Sequence, residues 1–147
     1  MSPVFKKLNL KDQSEILVLN APASFEPELK TLSSVKILRN LTAAGTIQFS
    51  LAFVTTQKEV DAIARVITHK AKGDAVVWFA YPKGSSKKYQ CEINRDTGWS
   101  ALGQAGFEGV RMVAIDEDWS AVRFRRAEFI KSMSRDKSRV MSRTGKK

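Results

Sequence analysis

Cysteine and long apolar runs are scarce in this chain of 147 residues, and each shortage excludes a class of protein. The one cysteine, Cys91, cannot form an intramolecular disulfide, which excludes a disulfide-stabilised secreted scaffold. The longest apolar stretches, such as residues 75–81, are much shorter than the roughly 20 residues that a membrane-spanning helix needs. No basic and apolar leader opens the chain either, so we expect a cytoplasmic protein without a membrane partner.

Catalytic and metal-binding signatures are also few. The single histidine, His69, lies on the same side of its predicted helix as Lys58 and Arg65, so we expect it to face solvent. Cys91 has no suitably spaced cysteine or second histidine with which to form a zinc site or a nucleophile–base pair. The sequence therefore predicts no cofactor, no metal and no identified catalytic residue.

The positive charge is concentrated at the C-terminus. The chain has 25 basic and 15 acidic side chains, and seven of the basic ones but only one acidic one lie in residues 131–147. Apolar residues recur there with no period, which predicts a disordered basic tail after a single α/β domain over residues 1–130. Such a tail attracts nucleic acid or another polyanion without reading its sequence, although it can equally be a solubilising extension.

Apolar periodicity predicts the fold class. Residues 15–20 and 75–82 have the pattern of strands buried on both faces, residues 46–54 alternate between faces, and Thr56 and Glu59 have the spacing of a capping box. Weaker patterns predict a helix capped by Ser24, a strand over 35–41, a helix capped by Asp96 or Thr97, and strands over 110–115 and 120–126. This order predicts a three-layer α/β sandwich with a mostly parallel central sheet and a C-terminal antiparallel edge hairpin.

Four blocks of sequence carry a resemblance to a known family: Val18–Pro22, Trp78–Lys83, Arg95–Trp99 and Val113–Arg125. The second contains a strand-ending W-x-x-Y-P-K pattern, and the fourth an A-I-D-x-D-W-S-A-x-R pattern. Together the blocks resemble a family of short, mostly bacterial proteins known only as a domain of unknown function, over roughly residues 8–126. The resemblance implies a compact intracellular α/β domain without an assigned reaction.

A basic, hydroxyl-rich loop follows the fourth predicted strand. It contains the candidate anion-binding residues Lys83, Ser85, Ser86, Lys87 and Lys88. Lysine ammonium groups, hydroxyls and backbone N–H groups are suitable partners for a phosphate, and ligands of such sheets bind outside the carboxyl ends of the strands. The spacing is not that of a Walker loop, and a solvated loop is the alternative.

Three consecutive acids, Asp116, Glu117 and Asp118, form a second candidate site. Neighbouring carboxylates can bind a hard cation or hold one raised pKa for proton transfer. Consecutive turn residues usually point apart, however, and the nearby arginines favour a turn bordered by ion pairs.

One further likeness is weighed and rejected. Residues 72–78 are similar to a late strand of methyl-donor-binding transferases. Those enzymes need a glycine-rich turn after the first strand, whereas residues 20–24 here read Asn-Ala-Pro-Ala-Ser, so nucleotide-cofactor catalysis is disfavoured.

We therefore predict an intracellular domain that binds an anionic partner, a phosphate-containing ligand or nucleic acid, without catalysis. Two alternatives remain open. One is a small enzyme that uses Asp116 or Asp118 as a base or metal ligand, and the other is a protein-interaction module that uses the edge hairpin over residues 110–126.

Overall fold

The computed structural model describes residues 3–86 and 98–130, and six strands in these ranges form a sheet. The strands are β1 (Glu15–Leu19), β2 (Lys36–Leu38), β3 (Ile47–Phe53), β4 (Ala71–Pro82), β5 (Phe107–Ala114) and β6 (Trp119–Arg126). Their order is β2-β1-β3-β4-β6-β5. Neighbours from β2 to β4 are parallel, whereas β6 is antiparallel to both β4 and β5. The predicted fold class is confirmed.

Four helices in the described ranges accompany the sheet: α1 (Pro3–Lys7), α2 (Glu26–Lys30), α3 (Gln57–Lys70) and α4 (Ser100–Gln104). Helix α3 begins with the predicted capping box, in which the Thr56 hydroxyl accepts a hydrogen bond from the N–H of Glu59. Ser24 does not cap α2, because a short 3-10 turn over Ala23–Phe25 precedes that helix and makes Phe25 its N-cap. The sequence analysis also missed α1.

Two hydrophobic clusters cover the opposite faces of the sheet. Helices α3 and α4 contribute Val60, Ile67 and Leu102 to one cluster, and the segment around α1 and α2 contributes Phe5 and Leu29 to the other. The central strands are therefore buried on both sides, which explains why their sequences read as continuous apolar runs. No helix in the described residues is long and apolar enough to span a membrane.

The sequence of β3 alternates between apolar and more polar residues, but both faces of this strand are buried. Phe49 and Leu51 lie in one cluster as expected, but Ser50 on the opposite face is fully buried, because that face is covered as well. A register shift between Ile47 and Phe49 accompanies the long start of β4, which begins at Ala71 and not at residue 75.

The carboxyl ends of β1, β3 and β4 lie at one edge of the sheet, together with the turn between β5 and β6. The N–H of Lys83, just after β4, donates to the carbonyl of Asp118 in that turn at 2.8 Å. Segments that are distant in sequence therefore meet at this carboxyl edge, as predicted.

Candidate functional site

A crevice is expected where the strand order reverses, because the connections on its two sides leave in opposite directions across the sheet. Strand β1 has β2 on one side and β3 on the other, and ligands of open α/β sheets bind at such switch points, outside the carboxyl ends of the strands. The β1–β3 crevice is bordered by residues 20–22 after β1 and by residues 54–56 after β3. The amino edge holds a shallow depression lined by Glu15, Thr46 and Gln48, with too little enclosed space for a ligand.

Asn20 makes the tight turn at the end of β1. Its φ of 58° lies in the left-handed region, which glycine adopts readily and asparagine tolerates better than most residues. The side-chain amide of Asn20 donates to the carbonyl of Phe53 at 3.3 Å, so it links the ends of β1 and β3. The turn that usually relies on glycine therefore forms here without one.

Aromatic rings pack beneath the crevice. The ring of Phe53 lies 5.0 Å from that of Phe25 and 5.1 Å from that of Trp119, measured between centroids. These three side chains come from the loop after β1, the end of β3 and the start of β6, and all are buried. Their packing holds the loop after β1, the end of β3 and the start of β6 together at the carboxyl edge.

A carboxylate lies at the carboxyl end of β2. Arg39, the residue directly after β2, donates two hydrogen bonds of 2.8 and 3.0 Å to the Glu26 side chain in the first turn of α2. These hydrogen bonds from Arg39 lower the pKa of Glu26, so its carboxylate is charged at neutral pH. The acid belongs to α2 but is held beside β2 by the arginine.

A second carboxylate, that of Glu59, accepts hydrogen bonds from backbone N–H groups at the start of α3. It accepts hydrogen bonds from the N–H groups of Thr55 at 2.8 Å and Thr56 at 3.2 Å. Burial acts to raise the pKa of Glu59, but the hydrogen bonds from both threonines outweigh it and lower the pKa overall. Glu59 therefore shapes the end of β3 as a charged cap and has no proton to donate.

The basic loop after β4 lies next to a carboxylate from the turn between β5 and β6. The Ser86 hydroxyl donates to Oδ1 of Asp118 at 2.8 Å, and Ser85 is exposed. Lys87 and Lys88 lie outside the described residues. The structure thus joins the predicted anion-binding segment to one of the predicted acids, and the negative charge of Asp118 opposes the binding of an anion there.

The three predicted acids do not converge. Oδ1 of Asp116 accepts the N–H groups of Asp118 and Trp119 at 2.8 and 2.9 Å, and Glu117 is exposed. The arginine that was expected to border this turn, Arg125, pairs with Asp74 instead. Asp116 therefore stabilises the turn, and only Asp118 faces the neighbouring loop with a hydrogen-bonded carboxylate.

Other sequence expectations concern side chains away from the crevice. His69 is exposed on α3, as predicted, whereas Trp78 and Trp99 belong to the core. Cys91 and the residues proposed to cap the helix before Trp99 lie outside the described residues. No group of three or more His, Cys, Asp or Glu side chains in residues 3–86 and 98–130 could hold a metal ion.

Solved structures of methyltransferases have the same fold. An S-adenosylmethionine (SAM) dependent methyltransferase from Aquifex aeolicus matches with a TM-score of 0.57 and 16% identity, over 84% of this chain and 88% of that one. The N-methyltransferase NodS from Bradyrhizobium japonicum WM9 matches with a TM-score of 0.49 and 13% identity, over 82% of this chain and 91% of that one. No family model and no curated protein matches the sequence.

This likeness overturns the predicted function. Binding of an anionic partner without catalysis is contradicted, because the fold is the one that the Aquifex aeolicus methyltransferase has over most of its length. The error arose at the loop after β1, where the missing glycines were taken to disfavour nucleotide-cofactor catalysis. Asn20 adopts the left-handed conformation that the turn needs, so the absence of glycine does not exclude this fold.

The Aquifex aeolicus methyltransferase is SAM dependent, and the residues at the β1–β3 crevice of this chain can be compared with the needs of a nucleoside. Ribose hydroxyls of nucleotides in such folds are bound by an acid near the end of the second strand, and Glu26 lies there. A carboxylate has about four acceptor sites, so it can bind hydroxyls as well as Arg39. Ala21 and Pro22 keep side chains where glycine would allow a closer approach to the backbone. The Glu26 carboxylate can therefore accept hydrogen bonds from the hydroxyls of a nucleoside, whereas the side chains of Ala21 and Pro22 limit how closely a ligand can approach the loop after β1.

Proposed function

We propose that this protein is a methyltransferase that binds SAM at the β1–β3 crevice. The observation that carries the proposal is the fold itself, which matches a SAM-dependent methyltransferase over 84% of the chain with a TM-score above 0.5. The charged acid beside β2 and the left-handed turn after β1 are the local features that support it.

Three side chains have distinct roles on the cofactor side. Glu26 accepts the ribose hydroxyls, and Arg39 holds that carboxylate ionised and in place. Asn20 keeps the ends of β1 and β3 together. When bound, the cofactor supplies a methyl group on a positively charged sulfur.

The acceptor lies over the ends of β3 and β4 in this proposal. Lys83, Ser86 and Asp118 border that part of the carboxyl edge and are joined by two hydrogen bonds. An acceptor hydroxyl or amine loses a proton when it is methylated, and Asp118 has a second carboxylate oxygen that can take it. Ser86 orients the carboxylate by donating to Oδ1.

The experiment measures the affinity of the demethylated cofactor, S-adenosylhomocysteine, by isothermal titration calorimetry. Glu26→Gln removes a charged acceptor, and we expect affinity to fall roughly 10-fold or more, since hydrogen bonds to a charged acceptor are stronger than those to a neutral amide. Glu28→Gln on the same helix makes the same change of charge two residues away and is the matched control.

We expect the Glu28 variant to bind within about twofold of the unchanged protein, because its position is not tied to β2. Circular dichroism establishes that both variants are folded. The proposal is abandoned if the unchanged protein binds no S-adenosylhomocysteine at millimolar concentration, or if the two variants lose affinity equally.

A further inference from the structure

Three arginines lie on one face of β5 and β6, away from the crevice. Arg111 in β5 is directly opposite Arg123 in β6, and Arg125 follows two residues further along β6 on the same side. We call Arg111, Arg123 and Arg125 the arginine face. The ammonium group of Lys7 in α1 reaches the carbonyl of Ala114 in β5 at 3.4 Å, which adds a further positive charge to this side of the sheet.

The positive charge of the arginine face and Lys7 exceeds the negative charge beside it, which is that of Asp74 and of Glu108, the buried residue opposite Arg125. Asp74 is engaged by Arg125, which donates from Nε at 2.8 Å and from Nη2 at 2.6 Å to the two carboxylate oxygens. Arg123 lacks such a partner, and its Nε is buried without a hydrogen-bond acceptor. Burial lowers the pKa of Arg123, and the charges of Arg125 and Arg111 act in the same direction, opposed only by Asp74.

Such an arrangement is unfavourable in the protein alone. Like charges directly opposite each other destabilise a sheet, and a buried donor without an acceptor has lost its hydrogen bond to water. A bound anion offsets the repulsion between the opposed guanidinium groups. Guanidinium groups bind phosphate oxygens in pairs of parallel hydrogen bonds, so phosphate is the anion that this geometry suits.

We propose that the arginine face binds the phosphate backbone of a nucleic acid, and that nucleic acid is the substrate class of this protein. The identification as a substrate rests on the proposed methyltransferase function, whereas the binding does not.

Two observations favour a polymer with many charges over a single phosphate or a membrane. Residues 131–147, which follow β6 in sequence, have seven basic side chains and one acidic one. A membrane surface would be bound more readily through exposed apolar side chains. Of the two large ones in the described residues, Val110 and Met112, Met112 is opposite Val122 and lies on the other face of the sheet from Arg111.

The test uses fluorescence anisotropy of a labelled 20-nucleotide single-stranded RNA and of the DNA of the same sequence, with full-length protein and no cofactor. We expect Arg111→Gln and Arg123→Gln together to weaken binding roughly 10-fold at low salt. The slope of log Kd against log salt should fall by about 0.7 for each lost phosphate contact. Arg65→Gln, an exposed arginine on α3, is the matched control and should leave the slope unchanged.

Arg111→Gln alone, at an exposed position, keeps the test informative if the substitution at the partly buried Arg123 prevents folding. An unchanged slope in the arginine variants would overturn the proposal and assign any nucleic-acid binding to the tail. Stronger dependence on Arg111 for binding to phosphatidylserine vesicles than to RNA would overturn it in favour of a membrane. Failure of S-adenosylhomocysteine to bind, with RNA binding intact, would refute the methyltransferase and the substrate assignment but not the arginine face.

Discussion

Asn20 allows a direct test of how the turn after β1 forms without glycine. Its backbone is left-handed, with φ of 58°, and its side chain donates to the carbonyl of Phe53. Alanine at this position loses the hydrogen bond and cannot offset the cost of a Cβ in the left-handed region, about 1–2 kcal/mol, with the local side-chain hydrogen bonding that lets asparagine adopt this conformation. Glycine loses the same hydrogen bond, worth about 1 kcal/mol, but has no steric penalty.

We therefore expect Asn20→Ala to lower the free energy of unfolding by about 2 kcal/mol and Asn20→Gly by about 1 kcal/mol or less. Urea unfolding followed by tryptophan fluorescence measures both values. Ser34 provides a control, because it is also left-handed, with φ of 62°, but is exposed away from the crevice. Its alanine variant should be less stable than its glycine variant without a change in affinity for S-adenosylhomocysteine.

The result that would refute this reasoning is an equal loss of stability in Asn20→Ala and Asn20→Gly. Equal losses would mean that the hydrogen bond to β3, and not the backbone conformation, is what the turn requires. The account of why a glycine-free loop is compatible with the methyltransferase fold would then fail.

Three other changes have outcomes that the contacts determine. Arg126→Met should lower the free energy of unfolding, measured by urea titration, by about 2–3 kcal/mol. The reason is that the Arg126 guanidinium donates to carbonyls at the end of α3 and lies over the ring of Phe107, 4.7 Å from its centroid. A loss below about 0.5 kcal/mol would contradict this role. The hydrogen bond from Arg125 lowers the pKa of Asp74. The ion pair therefore stabilises the folded protein above about pH 4, and this stabilisation is lost as the pH falls through the lowered pKa of Asp74. Thermal unfolding of Asp74→Asn should accordingly vary less with pH below 4 than that of the unchanged protein, and identical profiles would exclude the contribution. Pro22→Gly should tighten binding of S-adenosylhomocysteine several-fold, as measured by calorimetry, because it removes a side chain that limits how closely the ligand approaches the backbone of the loop after β1. Weaker binding would contradict this role of Pro22.

Local signals predicted most of the fold. The capping box of Thr56 and Glu59 identified the start of α3, and the continuous apolar runs identified the two strands that helices cover on both sides. Short-range patterns succeed where the interactions themselves are short in sequence or depend only on periodicity. Helix α1 has only five residues, too few to show an apolar period, so it was not predicted from the sequence.

The candidate site could not be predicted in the same way. The carboxylate beside β2 comes from Glu26, 13 residues before the arginine that holds it, and Arg125 pairs with Asp74 across 51 residues. Such pairs depend on strand order, which local patterns do not encode. Asn20 was misjudged for a different reason, since the sequence alone does not show when asparagine replaces glycine in a left-handed turn.

Backbone amide NMR of the full chain, titrated with S-adenosylhomocysteine, addresses the cofactor site without assuming a methyl acceptor. The account predicts saturable shifts at Asn20, Arg39 and Thr55, which surround the carboxyl ends of the first three strands, and none at Arg123. The absence of shifts, or shifts confined to the β5–β6 face, would contradict it.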